Sequence, residues 1–367
     1  MDFGYRQPVE IVFGSGARGR LADVMQKKGF KRGVLIADSV FVKNGMADEI
    51  CGSAPVAAVF DDFGANPEIA AADAAAKLIR KNKADCVIAL GGGSAMDLGK
   101  FAATVAAGKA SAEELFYGEL PSKGLPVIAM PATAGTGSEV TSVSVMSDSA
   151  RAAKKPLVSD AFFAKVAIVD PELTLTVPPF VTAASGLDAI SHALEAYWCK
   201  ARNPVSDALA VRALALLFGA FEEVCRDGSD RAARTDMSLG ALLAGMAFAP
   251  TRTAGVHACS YPLSEMYHLP HGEACAFTLD TFIRINSAAE PERMNALCRA
   301  IGFASPSAMA SRIVRYKKLT GMRTTLSAIG CTDAAALAAA CAAHPLQNNN
   351  PVSLTADQLE EAFKALG

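Results

Sequence analysis

A carboxylate and an imidazole, Asp188 and His192, stand four residues apart in the stretch SGLDAISHALEAY, residues 185–197. Leu187, Ile190, Ala193, Leu194 and Tyr197 recur at helical spacing. The segment is therefore expected to be an amphipathic helix with the two polar side chains one above the other on one face. Two ligands so placed can share one divalent ion. The stretch GVHACSYPLSEMYHLPHGE, residues 255–273, adds His257 and His271. One Asp with three His makes an oxygen and nitrogen set suited to iron or zinc. An Asp–His pair at this spacing is, taken alone, more often a surface pair or a cap. Scarcity tips the balance: the chain has 5 His, and His192, His257, His268 and His271 all fall between residues 192 and 271. They are interleaved with apolar sequence, where buried imidazoles need partners and a metal satisfies several at once.

The elements that must position these residues follow from length and pattern. A chain of 367 residues, 51% hydrophobic, exceeds what one core usually serves, so two domains are expected. From residue 10 to about 170, the runs EIVFG, GVLIADS, PVAAVFDDF, ADCVIALGGGS, PVIAMPAT and KVAIVDP alternate with Ala- and Lys-rich helical stretches. That rhythm predicts an α/β domain with a parallel sheet. Before the last run, SVSVMSDSARAAKKPLVSD reads as an antiparallel hairpin excursion. Pro178 and Pro179 then punctuate the chain, and every later segment reads as helix or loop. The expected division is an α/β domain over 1–178 and an all-helical domain over 179–367. The last helix carries a Thr355 N-cap with Gln358 completing a capping box.

The formal net charge of −2, without a basic stripe, argues against a nucleic-acid partner and favours a small molecule. No window approaches the apolar length of a membrane span and the N-terminus lacks a signal-like apolar run, so a cytoplasmic protein is expected. Nine cysteines at irregular spacing, without a CxxC pair, read as reduced and mostly buried thiols.

Two loops have the makings of a nucleotide site. The strand ADCVIAL opens into Gly91, Gly92, Gly93 and Ser94 and then a helical run. Glycines permit close backbone approach, and a helix N-terminus offers unpaired N–H groups to a pyrophosphate. Such a run is by itself often only a turn. The loop PATAGTGSEVTS concentrates Thr133, Thr136, Ser138 and Thr141 beside Gly135 and Gly137, hydroxyls suited to ribose and phosphate oxygens. Asp38, ending the strand VLIAD, is placed to bond the adenosine ribose and repel a 2′-phosphate, which favours NAD over NADP.

These loops, the VDPELTLTVPP bridge, GLDAISHALEAY, and His257 followed by Pro270-His271-Gly272 together resemble the iron-containing (group III) alcohol dehydrogenase family, nearly end to end. The resemblance implies a dinucleotide-binding domain, an all-helical domain and an active site in the cleft between them. It implies Asp188, His192, His257 and His271 as ligands of Fe2+ or Zn2+. Gly92, Gly93, Ser94 and Asp97 would lie along the pyrophosphate and nicotinamide, and Thr133, Thr136 and Ser138 along the rest of NAD(H). It further implies reversible hydride transfer between NAD(H) and a small aldehyde or primary alcohol, with the metal as Lewis acid, in a homodimer.

Two departures bear on substrate. Where many members carry a further His four residues after the third ligand, this chain has Tyr261, which leaves Tyr261, a ribose hydroxyl or water as proton source. The segment APTRTAGVHACSYPL resembles the branch that includes phosphonoacetaldehyde reductases. Arg252 is then expected to clamp an anionic head through paired hydrogen bonds, against the plainer reading of a surface arginine. His268 reads as a pocket-edge residue near the cofactor, and His344, beside Pro345, as structural or exposed. Competing readings are a general short-chain alcohol dehydrogenase, a glycerol dehydrogenase-like enzyme, a dehydroquinate synthase-type lyase, and a non-catalytic nucleotide-binding module.

Overall fold

A computed structural model describes residues 2–366. The chain divides into two compact units: an α/β unit of residues 7–133 and 137–175, and a helical unit from Thr176 onward. The helical unit also includes the first residues, up to Arg6, and Ala134–Thr136.

The α/β unit carries strands β1 (Glu10–Phe13), β2 (Gly33–Ala37), β3 (Val56–Phe60), β4 (Cys86–Gly91), β5 (Val127–Pro131), β6 (Val143–Asp148), β7 (Ala153–Val158) and β8 (Val166–Val169). Its helices are α1 (Leu21–Lys28), α2 (Ser39–Lys43), α3 (Met46–Ser53), α4 (Ile69–Lys81), α5 (Gly93–Ala107) and α6 (Ala112–Tyr117). Six strands form one parallel sheet in the order β1-β8-β5-β4-β2-β3. The strands β2, β4, β5 and β8 are buried along their whole length, as expected of parallel strands covered on both faces. The strands β6 and β7 pair antiparallel, which is the hairpin the sequence predicts. From β2 the chain crosses to β3 on one side, whereas β4 lies on the other. The sheet therefore has a topological switch at the carboxyl ends of β2 and β4, the place where ligands of such sheets bind.

The helical unit consists of α7 (Pro179–Trp198), α8 (Pro204–Arg226), α9 (Arg231–Thr251), α10 (Gly255–Tyr267), α11 (His271–Ala289), α12 (Pro291–Ile301), α13 (Pro306–Leu319), α14 (Ala334–Ala343) and α15 (Ala356–Lys364). The capping box of Thr355 and Gln358 is present at the start of α15. One expectation needs correction: α7 is not amphipathic. Every residue from Gly186 to Trp198 is buried, because α8, α9 and α11 pack around it. A helix apolar on all sides belongs at the centre of a core, and here that buries its polar residues as well.

Among the described residues no helix is long and apolar enough to cross a membrane. All nine cysteines are free thiols.

Candidate metal and nucleotide centres

The helix α7 presents Asp188, His192 and Glu195 at spacings of four and three, which sets them along one face. The helix α10 brings His257 and the first residue of α11 brings His271. What lets α11 start so close to α7 is Gly272, since a Cβ there would stand 2.1 Å from the Ala184 carbonyl oxygen. The four expected ligands converge on Asp188 Oδ1. It lies 3.9 Å from His192 Nε2, 3.5 Å from His257 Nε2 and 3.7 Å from His271 Nε2. The His192 ring is held between Phe248 of α9, at 4.1 Å between centroids, and His257, at 4.6 Å.

The donors fit a divalent cation. Among the described residues, Asp188 Oδ1 and His257 Nε2 are buried and have no hydrogen-bond partner, a costly arrangement that an ion at their meeting point would remove. Burial alone would push the Asp188 carboxyl up, but His192, His271 and His257 outweigh it and hold it well below the usual carboxylate range. Burial, with help from His257 and His271, pushes His192 down to about 3 against the pull of Asp188, leaving a neutral imidazole able to coordinate. Burial also opposes charge on His257, yet Cys275, Glu195 and Asp188 around it hold it above its ordinary value. His271 is raised too: burial lowers it, and Cys275 and Asp188 prevail. A cation entering the site displaces those protons. His271 is packed about by protein but open on one side, its side chain keeping 42% of its accessible surface.

Two residues of this centre escaped sequence reading. Glu195 is fully buried. Its Oε1 accepts from the N–H of Val256, at 2.7 Å, and of His257, at 3.3 Å, while Oε2 accepts from His257 Nδ1. That contact fixes the Nδ1–H tautomer and turns Nε2 toward Asp188 Oδ1, and it also sets a carboxylate on the N-terminus of α10. The available signal was its spacing from Asp188 and His192. Cys275, one turn after His271 on α11, has its Sγ 3.9 Å from His271 Nε2.

Of the substrate-side residues, Tyr261 on α10 stacks on His344 at 4.8 Å and lies 6.2 Å from the His271 ring. His344 is half-buried, and its Nδ1 accepts from the Leu346 N–H, so it caps a turn as well as backing Tyr261. Arg252 ends α9 at positive φ, 64°, with an extended ψ of 176°, one turn after Phe248, whose carbonyl accepts its N–H at 2.8 Å. Such a backbone is uncommon outside glycine. It is held by the Asn349 side-chain amide, which donates to the carbonyls of Thr251 (2.9 Å) and Thr253 (3.0 Å). Among the described residues no carboxylate pairs with the Arg252 guanidinium, and burial alone shifts it downward. His268 is exposed, caps the end of α10 in a left-handed conformation, and stands outside the cluster of ligands.

In the α/β unit, Gly91 ends β4 at φ 149°, and a Cβ on it would come within 2.2 Å of Asp38 Oδ2. That oxygen accepts the Gly92 N–H at 2.8 Å, so Asp38 pins the glycine turn at the switch of the sheet. Burial raises the Asp38 carboxyl and the Gly92 bond partly offsets it. Thr133 stands beside Gly92, within about van der Waals reach of where its Cβ would be. Gly93 and Ser94 open α5, whose N–H of Met96 takes the Gly92 carbonyl at 3.1 Å. The N–H groups ahead of Met96 have no partner within the helix. Asp97 and Ser138 are engaged elsewhere. Ser138 Oγ donates to Asp97 Oδ1 at 2.7 Å, Val145 N–H donates to Oδ2 at 2.9 Å, and buried Lys100 donates to Ser138 Oγ and to the carbonyls of Thr141 and Val143. Thr136 belongs with Ala134 and Gly135 to the helical unit, where Gly135 packs on Ser185.

A parallel sheet with a glycine turn at its switch point, and a helical unit gathering one Asp and three His, define a metal-dependent oxidoreductase of the dinucleotide-using kind. The chain belongs to the iron-containing alcohol dehydrogenase family: the model of iron-containing alcohol dehydrogenase matches residues 8–171, and that of the Fe-containing alcohol dehydrogenase family, C-terminal, matches residues 182–367. Sulfoacetaldehyde reductase from Bifidobacterium kashiwanohense, solved in complex with NAD+, is 41% identical with a TM-score of 0.97, covering 100% of this chain and 99% of that one. Long-chain-alcohol dehydrogenase 1 of Geobacillus thermodenitrificans is 37% identical over 340 residues, 88% of this chain and 85% of that protein. Sulfoacetaldehyde reductase of Bilophila wadsworthia is 38% identical over 211 residues, 57% of this chain and 54% of that protein. The chain is thus an enzyme of the alcohol dehydrogenase type.

Proposed function

We propose that the enzyme interconverts a small aldehyde bearing an anionic head, with sulfoacetaldehyde and phosphonoacetaldehyde as the test cases, and the corresponding primary alcohol. The aldehyde takes a hydride from NADH and a proton, giving the alcohol and NAD+. The observation that carries the anionic-head reading is Arg252. It is solvent-exposed, has no acidic partner among the described residues, and sits one turn beyond the Phe248 that stacks on His192. A guanidinium so placed binds a sulfonate or phosphonate through two parallel bonds.

Asp188, His192, His257 and His271 would hold the divalent ion, Fe2+ or Zn2+, with Glu195 orienting His257. When bound, the ion supplies Lewis acidity toward a carbonyl oxygen. Tyr261 Oη is the proton donor in this reading, its ring backed by His344 and near His271; His268 stands at the edge. For NAD(H), the free N–H groups at the start of α5 would take the pyrophosphate with Gly92, Gly93 and Ser94, and Thr133 and Thr136 would add hydroxyls. Asp38 has Oδ1 left for a ribose hydroxyl, while Asp97 and Ser138 would keep the neighbouring loop in shape. The nine free thiols support a reducing compartment, the cytoplasm, and the family resemblance supports a homodimer.

The test is NADH oxidation by iron- or zinc-loaded enzyme with a panel of short neutral and anionic aldehydes. Preference for the anionic aldehydes, abolished by Arg252→Ala while neutral aldehydes are still reduced, is expected. Equal rates on propanal, indifferent to Arg252→Ala, would leave a general short-chain alcohol dehydrogenase instead.

A further inference from the structure

Among the described residues the helical unit holds a close group of donors that differs from the set of one Asp and three His. A carboxylate oxygen of Asp188, one ring nitrogen each of His257 and His271, and Cys275 Sγ all lie within 4.8 Å of one another. His192 lies outside this group, its Nε2 3.9 Å from Asp188 Oδ1 and its ring stacked on that of His257. Ligand atoms around one tetrahedral ion stand roughly 3.3–3.8 Å apart, so the four need close by only a fraction of that distance. Cys275 is fully buried and fixed on α11, one turn from His271, and is therefore carried on the same face as a ligand. The group is aimed at an ion independently of the thiol, because Asp188 Oδ1 and His257 Nε2 are buried without partners.

We infer that Cys275 is an alternative fourth ligand, and that the identity of the ion decides between it and His192. Thiolate sulfur is a soft donor that selects zinc and similar ions, whereas imidazole and carboxylate also serve ferrous iron. A thiophilic ion takes Asp188, His257, His271 and Cys275; iron takes the carboxylate and the three imidazoles. His192, sandwiched between Phe248 and His257, stays in place when it is not coordinating. This inference rests on the metal-site reading above and adds a donor to it.

Metal-free full-length protein is loaded with Co2+ as the probe, and its absorption is read without any assay of activity. Wild type is expected to show a near-ultraviolet sulfur-to-cobalt charge-transfer band together with visible d–d bands. Cys275→Ser, and separately Cys275→Ala, should lose the first and keep the second. X-ray absorption of the zinc-loaded wild type should show one sulfur at about 2.3 Å, and the iron-loaded protein none. Cobalt bound at one per chain without the sulfur band, or a band that persists in both Cys275 variants, overturns the inference while the metal site stands. No cobalt uptake by wild type, or uptake unchanged in Asp188→Ala, removes the metal site and the inference together.

Discussion

Asp188 in the helical unit and Asp97 in the α/β unit are both helix carboxylates enclosed by protein, and their surroundings differ in kind. Both oxygens of Asp97 are hydrogen-bonded, to Ser138 and Val145, and burial raises its carboxyl despite nearby Lys100. Asp188 leaves Oδ1 unpartnered among three imidazoles that hold its carboxyl low. A buried carboxylate whose hydrogen bonds are complete braces the chain. One whose bonds are incomplete, among groups that favour its charge, is free to serve as a ligand.

The largest effect should come from breaking that contrast at Asp188. Asp188→Ala is expected to lose the metal, measured by elemental analysis, and to lower kcat/KM by about a thousandfold or more. Asp97→Ala should keep the full metal content and instead lower Tm and raise the KM for NADH. Metal loss in the second variant would erase the distinction. Next in size is Glu195→Gln, where metal affinity should fall by about 10- to 100-fold, because a neutral amide holds the His257 tautomer less firmly; competition with a chromogenic chelator reads this. A smaller effect separates two roles for Asp38. If it only braces Gly92, Asp38→Asn restores the NADH KM that Asp38→Ala loses; if its charge serves the ribose, both variants weaken NADH alike and NADPH gains on NADH.

The smallest effect is one of pH. Burial, opposed by Asp97 and Glu139, pushes Lys100 down to about 8 from an ordinary 10.5. Between those values the unfolded chain binds more protons than the folded one, so the stability linked to Lys100 is present above 10.5 and lost as pH falls through about 8. Urea denaturation should show wild type gaining on Lys100→Met as pH rises across that window, and no gain would mean the ammonium is better solvated than its burial implies.

The strands, the hairpin and the capping box at Thr355 were legible because period, punctuation and cap chemistry are local. The clustering of Asp188 with His192, His257 and His271 was legible because His is scarce here and its spacing informative. Glu195 was not, because its role depends on which helix N-terminus packs against α7. Neither was the engagement of Asp97 and Ser138 with Lys100, since a hydroxyl-rich loop reads the same whether it meets a ribose or a lysine. The amphipathic expectation for α7 failed for a related reason: five well-spaced apolar residues do not reveal that small residues on the remaining face are also enclosed.

His271 differs from the other residues of the cluster in being 42% accessible, at the first residue of α11 after the exposed His268 and Pro270. An ion held by this cluster would leave past Asp188, His192 or His257 only by disturbing the core, whereas a ring that swings into water would open a way out. Metal exchange should therefore be gated by this one side chain. The occupancy of the enzyme in a changing metal supply would then follow the rate at which His271 lets go, and a slow chelator would strip it faster from a His271→Ala variant than the equilibrium loss of one ligand alone would suggest.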